Sequence, residues 1–329
     1  MRPFAYQRAT SPDAAIAAFN DERATAFLAG GTTLIDLMKL DVLRPERVVD
    51  INGLGADGIE IGDGRLRVGA SARMADAETH PELRRQVPML TDSLALAAST
   101  QIRHMATLGG NVLQRTRCPY FRDVSWAACN KRNPGSGCAA LEGFNRSHAV
   151  LGTSDACIAT YPGDFGQALM ALDAVVDVVG RGGRRVVPFA DLHVTPGRTP
   201  HVETTLRPDE LILGFEMSVE PWYRRSLYLK IRDRESYEFA LASAAVALDL
   251  DGGTVRQARI ALGGLATVPW RARDAEQVLV GRTLDEASCR MAAEVALSGA
   301  RPNEHNSFKV ELGRQTIVRA LLQAAAMEV

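Results

Sequence analysis

The sequence has little cysteine, no excess of positive charge and no long apolar run. Its formal net charge is -1, which argues against nucleic acid as a main partner because phosphate binding favours a basic excess. No apolar run approaches the length that spans a membrane. The N-terminal stretch MRPFAYQRAT also lacks the uninterrupted apolar segment of a secretory signal. We therefore expect neither a signal peptide nor a membrane span on this chain.

The usual signatures of substrate chemistry are missing as well. The sequence shows no catalytic triad, no paired-carboxylate site and no H-E-x-x-H metal helix, and its six histidines are scattered. Without an evident acid, base or nucleophile, the chain is expected to hold cofactors and pass electrons rather than act on a substrate directly.

The general composition is that of an ordinary folded protein. The 329 residues are 46% apolar and 23% charged, and this length predicts two or three domains. Helical patterns are expected at PDAAIAAFND, with Ser11 as its N-cap, at RMADAETHPEL, and at 271–299 and 307–328. From about Pro221 onward, the pattern predicts a separate unit, a small antiparallel sheet with helices on one side.

Four of the five cysteines lie within one short segment, with the spacing C-x10-C-x8-C-x18-C. The tight C-x2-C pair that opens most zinc sites is absent, whereas four thiolates in a long loop are typical ligands of a [4Fe–4S] cluster. The spacing favours the cluster, but it leaves open a four-cysteine zinc site, unrelated buried thiols, or two disulfides. Six basic residues in or beside the segment would offset the charge of a cluster: Arg115, Arg117, Arg122, Lys131, Arg132 and Arg146.

Two glycine-rich turns indicate a phosphate-bearing ligand. AGGTTL at 29–34 stands between a predicted strand and a helix that Thr32 or Thr33 would cap, and TLGGN at 107–111 repeats the theme. Glycine lets a backbone approach a phosphate closely enough to donate several N–H groups. A third stretch, GLGADG at 53–58, fits G-x-G-x-x-G, but a strand-like sequence follows it, so we interpret it as a turn.

Four stretches together resemble the FAD-binding medium subunit of the xanthine dehydrogenase and molybdenum hydroxylase family: FLAGGTTLIDLMKL with ERVVDINGL, TLGGN, YLKIRDRES and ALGGLATVPWRA. The resemblance extends in order over nearly the whole chain. The cysteine segment resembles an insertion found in the periplasmic aldehyde oxidoreductase branch, where four cysteines bind a [4Fe–4S] cluster.

The resemblance implies an α+β fold with two parts. A two-subdomain FAD-binding domain of the PCMH type would occupy 1–220, with subdomains at about 1–55 and 56–220 and the [4Fe–4S] insertion at about 112–160. A C-terminal α+β domain with a small antiparallel sheet, of the CO dehydrogenase flavoprotein C-terminal type, would occupy 221–329.

The resemblance also implies site residues. The first turn would cradle the FAD pyrophosphate with Phe27, Leu28, Ala29, Gly30, Gly31, Thr32, Thr33 and Leu34. The second would supply further phosphate and ribose contacts with Thr107, Gly109, Gly110 and Asn111. Asp164 would bond the FAD, Ile212 would contact its ring system unless it is plain core, and Lys230 would stabilise the reduced flavin unless it is a solvated surface lysine. The implied ligands of the cluster are Cys118, Cys129, Cys138 and Cys157.

In function, the resemblance implies an electron-transfer subunit of a molybdenum-containing aldehyde oxidoreductase. A large molybdenum-cofactor subunit and a small [2Fe–2S] subunit would complete a heterotrimer and feed electrons through FAD to an external acceptor. The compartment would be the periplasm, by co-export with a partner carrying a twin-arginine signal, or else the cytoplasm. The alternatives are the medium subunit of an enzyme like 4-hydroxybenzoyl-CoA reductase and, from a different class, a zinc-stapled binding module.

Overall fold

Three sheets organise the chain in this computed structural model, which describes residues 1–19 and 25–329. The first sheet is parallel, in the order β1-β3-β2. Its strands and helices are β1 Ala5–Arg8, α1 Pro12–Ala18, β2 Thr25–Leu28, α2 Leu34–Lys39 and β3 Arg47–Asp50. The Ser11 side chain accepts a hydrogen bond from the Ala14 N–H at 3.1 Å, which confirms the predicted cap of α1. The last two residues of the predicted helix, 20–21, lie outside the described ranges.

The second sheet is antiparallel, in the order β4-β5-β8-β6-β7. It comprises β4 Ile59–Gly62, β5 Arg65–Gly69, β6 Val175–Gly180, β7 Gly183–Pro188 and β8 Leu211–Ser218. The turn interpretation of 53–58 is confirmed, because β4 and not a helix follows it. Between β5 and β6 the chain forms α3 Met74–Glu78, α4 Pro81–Gln86, α5 Pro88–Ala95, α6 Thr100–Met105, α7 Leu108–Val112, α8 Pro119–Arg122 and α9 Phe165–Ala171.

The stretch RMADAETHPEL forms two helices, so the prediction of one helix there is wrong. Pro81 lacks the N–H that would continue α3, and it is instead the first residue of α4, a position where proline is favoured. The helices α5 and α9 pack on the second sheet in one large apolar core that includes Leu90, Leu94 and Phe165.

The third sheet is antiparallel, in the order β12-β11-β10-β9. It comprises β9 Ser226–Ile231, β10 Ala242–Asp251, β11 Thr254–Gly263 and β12 Trp270–Arg271, followed by α10 Arg273–Leu279, α11 Glu286–Ala296 and α12 Phe308–Ala325. The predicted helix at 271–299 is therefore two helices. Between them the chain turns at Gly281, whose φ of +77° lies in the region that favours glycine.

Both faces of this third sheet are covered. Val246 and Leu248 of β10 pack in a core with α10, α11 and α12. Ala245 and Ala247 point to the opposite face and join the core that contains α5 and α9. The prediction of helices on one side is correct for the C-terminal helices alone, because α5 and α9 cover the other face. Within the described ranges, no helix has both the length and the apolar character needed to cross a membrane.

Candidate functional site

A cleft of about 500 Å³ is lined by residues from the first glycine turn, from α7 and from β9 of the third sheet. Its walls come from α2, α7, the cysteine segment, the start of α9, β9 and the loop at 232–240 that follows β9. The structure thereby brings together residues that are as much as about two hundred positions apart in sequence. Six of the predicted FAD-binding residues line it: Thr32, Thr33, Gly110, Asn111, Asp164 and Lys230.

The first glycine turn is held close to the end of α6. A Cβ on Gly30 would overlap the Met105 carbonyl oxygen and lie 2.8 Å from Cα of Ala106, so only glycine fits there. Gly31 has a φ of +75°, which also favours glycine. Both glycines are therefore needed for the backbone of this turn to reach the edge of the cleft.

The same turn presents backbone donors that the protein does not use. In the described parts of the chain, the N–H groups at positions 30–33 have no hydrogen-bond acceptor. Thr33 occupies the N-cap position of α2, but its side chain makes no capping bond, so the predicted threonine cap is wrong for Thr33. A row of free N–H groups is the arrangement that binds phosphate oxygens, and the turn therefore fits the diphosphate of a dinucleotide.

The second glycine turn works differently. Thr107 caps α7, with its Oγ1 accepting from the Gly110 N–H at 3.2 Å and its carbonyl accepting from the Asn111 N–H at 2.8 Å. Gly109 donates to the Ala70 carbonyl at 2.9 Å. These N–H groups are thus occupied within the protein. What remains for a ligand is the Asn111 side chain, whose buried Oδ1 has no partner among the described residues.

Asp164 and Lys230 form a buried ion pair at the base of the cleft. Lys230 Nζ donates to Asp164 Oδ2 at 2.7 Å and to the Leu96 carbonyl at 3.0 Å, and the side chains are 1% and 5% exposed. Tyr228, two residues earlier on the same face of β9, donates to Asp164 Oδ1 at 2.7 Å. Burial and the Asp164 charge raise the pKa of Tyr228 well above its ordinary value, so it remains a neutral donor. The alternative of Lys230 as a solvated surface lysine is excluded.

Three of the other predicted FAD residues, Phe27, Leu28 and Ile212, lie outside the cleft lining. Phe27 and Leu28 belong to β2, where the Phe27 ring packs on Phe19 with centroids 5.1 Å apart. Ile212 lies on β8 opposite Val178 and packs against the main core, outside the cleft lining. Its contact with the flavin ring stays a prediction, while its packing agrees with the core alternative.

The four clustered cysteines line one small cavity, a few residues along the chain from the cleft. All five cysteines are free, so the disulfide alternative has no support. Cys129 and Cys138 face each other across a short antiparallel bridge, whereas Cys289 is buried among the C-terminal helices. As the side chains stand, the described residues contain no group of three or more Cys, His, Asp or Glu placed to hold a metal ion.

A backbone donor reaches one of the buried sulfurs. The Ala159 N–H donates a hydrogen bond to Cys157 Sγ at 3.4 Å. Burial raises the pKa of Cys118 to about 12 and that of Cys157 to about 11. A bound cationic centre would therefore be needed to keep these two sulfurs as thiolates.

Most of the basic residues in this segment are already paired. Arg115 and Lys131 both bind the half-buried Glu203, the latter at 2.8 Å. Arg122 binds Asp36 through both guanidinium nitrogens. Arg132 donates to backbone carbonyls, including Phe121 O at 2.7 Å. Their role in offsetting the charge of a cluster stays a prediction.

Family comparisons cover the chain almost from end to end. Residues 2–217 match the family described as the FAD binding domain in molybdopterin dehydrogenase. The chain belongs to that family. Residues 220–328 match the CO dehydrogenase flavoprotein C-terminal domain. The two family matches confirm the predicted α+β fold, and they confirm the prediction that FAD is a cofactor.

Relatives of this molybdopterin dehydrogenase flavoprotein are oxidoreductase subunits. It is 44% identical over 328 residues, 99% of both chains, to the aldehyde oxidoreductase FAD-binding subunit PaoB of Escherichia coli K12. It is 28% identical to the carbon monoxide dehydrogenase medium chain of Afipia carboxidovorans, over 82% of this chain and 76% of the relative. The solved quinoline 2-oxidoreductase from Pseudomonas putida 86 superposes with a TM-score of 0.76 at 25% identity, covering 98% and 97% of the two chains.

Several residues that line the flavoprotein's cleft were not predicted to do so from the sequence. Arg117 and Arg122 reach it from the cysteine segment, and Tyr237 and Phe239 overhang it from the loop after β9. The two arginines lie close to Cys118 in the sequence, and for that reason they were predicted to offset the charge of a cluster instead. Nothing in the sequence pattern indicated that the loop after β9 would face the cleft.

Proposed function

We propose that this chain is the FAD- and [4Fe–4S]-binding electron-transfer subunit of a molybdenum-containing aldehyde oxidoreductase. The observation that carries the proposal is the convergence of four cysteines on one cavity, formed by the same segment that contributes Arg117 and Arg122 to the cleft. The 44% identity to a subunit named for aldehyde oxidoreductase over the full chain supports the substrate class. A large molybdenum-cofactor subunit and a small [2Fe–2S] subunit are the proposed partners in a heterotrimer.

The residues of the cleft fit FAD by their chemistry. The free N–H groups at 30–33 and the unpartnered Asn111 Oδ1 are donors and an acceptor that a dinucleotide satisfies. Asp164 fixes Lys230 in place, and the Leu96 carbonyl accepts a second hydrogen bond from the ammonium group. Because the carboxylate already balances the ammonium, we propose that Lys230 orients the bound group by hydrogen bonding more than by net charge. FAD, when bound, supplies the two-electron redox chemistry.

The cysteine cavity fits an iron–sulfur cluster by its donor set. Four thiols converge there, and the Ala159 N–H already donates to one of the sulfurs, as hydrogen bonds to ligand sulfurs commonly do in such sites. Coordination would require the cysteine side chains to move, since their present placement is not that of a ligand set. The cluster would exchange single electrons and would also tie the long loop together.

The proposal is tested by reducing the purified complex with an aldehyde under anaerobic conditions. Bleaching of the flavin absorption by the aldehyde is the expected result, and a flavin that stays oxidised while the molybdenum subunit is active would contradict the electron-transfer role. A complex carrying Cys138→Ser distinguishes an electron-transfer role of the cluster from a purely structural role. If its turnover is unchanged after the cluster is lost, the cluster has only a structural role.

A further inference from the structure

Arg117 stands between the flavin cleft and the cysteine segment. Its side chain lines the cleft and also a neighbouring cavity of about 230 Å³, whose wall includes Cys118 and His148. The guanidinium stacks over the Phe239 ring, 5.2 Å from its centroid, and the side chain is only 25% exposed. This arginine is therefore held in a fixed position by its surroundings rather than extended into solvent.

The guanidinium lacks the hydrogen bonds that its burial demands. Arg122 occupies both carboxylate oxygens of Asp36, at 2.7 and 3.0 Å. Arg117 Nη1 lies 3.7 Å from the nearer of those oxygens, beyond hydrogen-bond distance, and within the described chain this buried atom has no partner. A buried charged donor without an acceptor is costly, so the site is complete only when another acceptor is present.

The charges of the cleft point to an anion. Four cationic side chains line it against three carboxylates. Lys230 is neutralised by Asp164, and Arg234 lies 3.5 Å from Glu238. Asp36 is paired with Arg122, so Arg117 is the cationic side chain of the cleft that is left without a counter-charge of its own.

The Arg117 guanidinium and the free backbone N–H groups lie near the same end of α2. Asp36, which the Arg117 guanidinium approaches, lies in the first turn of α2, and helical side chains lean toward the N-terminal end of their helix. The unpartnered N–H groups at 30–33 lie at that same end. A diphosphate can satisfy both sets of donors at once.

We propose that Arg117 is an FAD-binding residue, contributed by the cysteine segment, whose Nη1 donates a hydrogen bond to the diphosphate of the dinucleotide. The inference rests on the proposed placement of FAD in this cleft. It makes the insertion part of the flavin site, because Arg117 precedes Cys118 directly and any shift of that cysteine's backbone moves the guanidinium. Flavin affinity is thereby coupled to the order of the cysteine loop.

The test compares Arg117→Gln and Arg117→Lys with Arg146→Gln in the purified complex. Arg146 is the matched control, since it comes from the same segment and pairs with exposed Asp233 at 2.6 Å. FAD is removed, and its rebinding is followed by the quenching of flavin fluorescence at several salt concentrations, with iron content and melting temperature measured alongside.

Loss of a charge-assisted hydrogen bond is expected to weaken FAD binding by roughly ten- to a hundredfold in Arg117→Gln. The lysine variant should be intermediate, because it keeps the charge but not the planar fork, and Arg146→Gln should bind as the unaltered chain does. An Arg117→Gln complex that keeps its iron and binds FAD within about twofold of the unaltered one overturns the inference. If Arg117→Lys binds FAD as weakly as Arg117→Gln, at unchanged iron content, the contact depends on the guanidinium group rather than on positive charge alone, which still supports the inference. If the unaltered complex binds no FAD, the proposed function itself fails.

Discussion

Lys230 Nζ lies 2.7 Å from Asp164 Oδ2, and both side chains are almost completely buried at the base of the flavin cleft. Replacing Asp164 with Asn leaves the ammonium without its counter-charge, and breaking a buried pair in this way costs about 3–5 kcal/mol. We expect Asp164→Asn to lower the free energy of unfolding by that amount and to reduce FAD retention. Urea denaturation and flavin content measure the two effects.

A surface pair provides the control for this prediction. Asp251 and Arg256 lie 2.6 Å apart, but their side chains are 64% and 61% exposed, so Asp251→Asn should change stability by less than about 1 kcal/mol. Equal costs for the two variants would show that burial of the Asp164 pair has no energetic significance.

Gly30 should tolerate no side chain. In Gly30→Ala the new methyl group would overlap the Met105 carbonyl, which displaces the turn that carries the free N–H groups. We expect loss of bound flavin, measured by absorption of the purified complex. Gly299→Ala is the control, because a Cβ there meets no atom within 4 Å. Retention of flavin by Gly30→Ala at the level of the control would remove the turn from the binding site.

Acid should destabilise the protein through His193. Burial lowers the pKa of this imidazole from 6.5 to about 4, while Nε2 contacts the Val112 carbonyl at 3.1 Å. Between these two pH values, His193 is protonated in the unfolded chain but neutral in the folded chain. The free energy of unfolding therefore falls as pH falls through that range. The loss from this one group is roughly 2 kcal/mol at pH 5. His193→Gln should flatten the pH dependence measured by urea denaturation between pH 7 and pH 5, and an unchanged slope would contradict the assignment.

Lys309 ties the last helix to the cysteine segment. Its Nζ, on a residue with no exposed surface, donates to the carbonyls of Ser147, His148 and Gly264 at 3.3, 3.0 and 2.5 Å. Lys309→Met would leave these carbonyls unsatisfied, at about 1–3 kcal/mol for each buried group left unpaired. We expect a lower unfolding midpoint, whereas exposed Lys39→Met should change it little. Equal midpoints would mean that water replaces the ammonium without loss.

The sequence was informative where structure is local. Ser11 beside a proline predicted the start of α1, because a helix cap depends on neighbouring residues. The resemblance supplied the α+β fold and six of the residues that line the cleft. Helix ends were less predictable, as Pro81 and Gly281 show, since the apolar pattern continued across each break.

Long-range relationships were beyond the sequence pattern. Asp164 and Lys230 were each predicted to serve the flavin, but their pairing depends on where α9 meets β9. Arg117 was predicted as a charge beside sulfur, and its orientation toward the cleft depends on Asp36 and Phe239, which lie about eighty and more than one hundred and twenty positions away. Such contacts are fixed only by tertiary packing.

The central proposal is that one chain holds both FAD and a four-iron cluster. The most direct measurement is the iron and flavin content of anaerobically purified complexes carrying the unaltered chain, Cys138→Ser or Cys289→Ser. Because the partner subunits contribute iron of their own, the difference between complexes is the informative quantity. The account predicts one FAD per chain in the unaltered complex and about four fewer iron atoms in Cys138→Ser, with no change in Cys289→Ser. Equal iron in all three complexes, or zinc lost in place of iron, would contradict it.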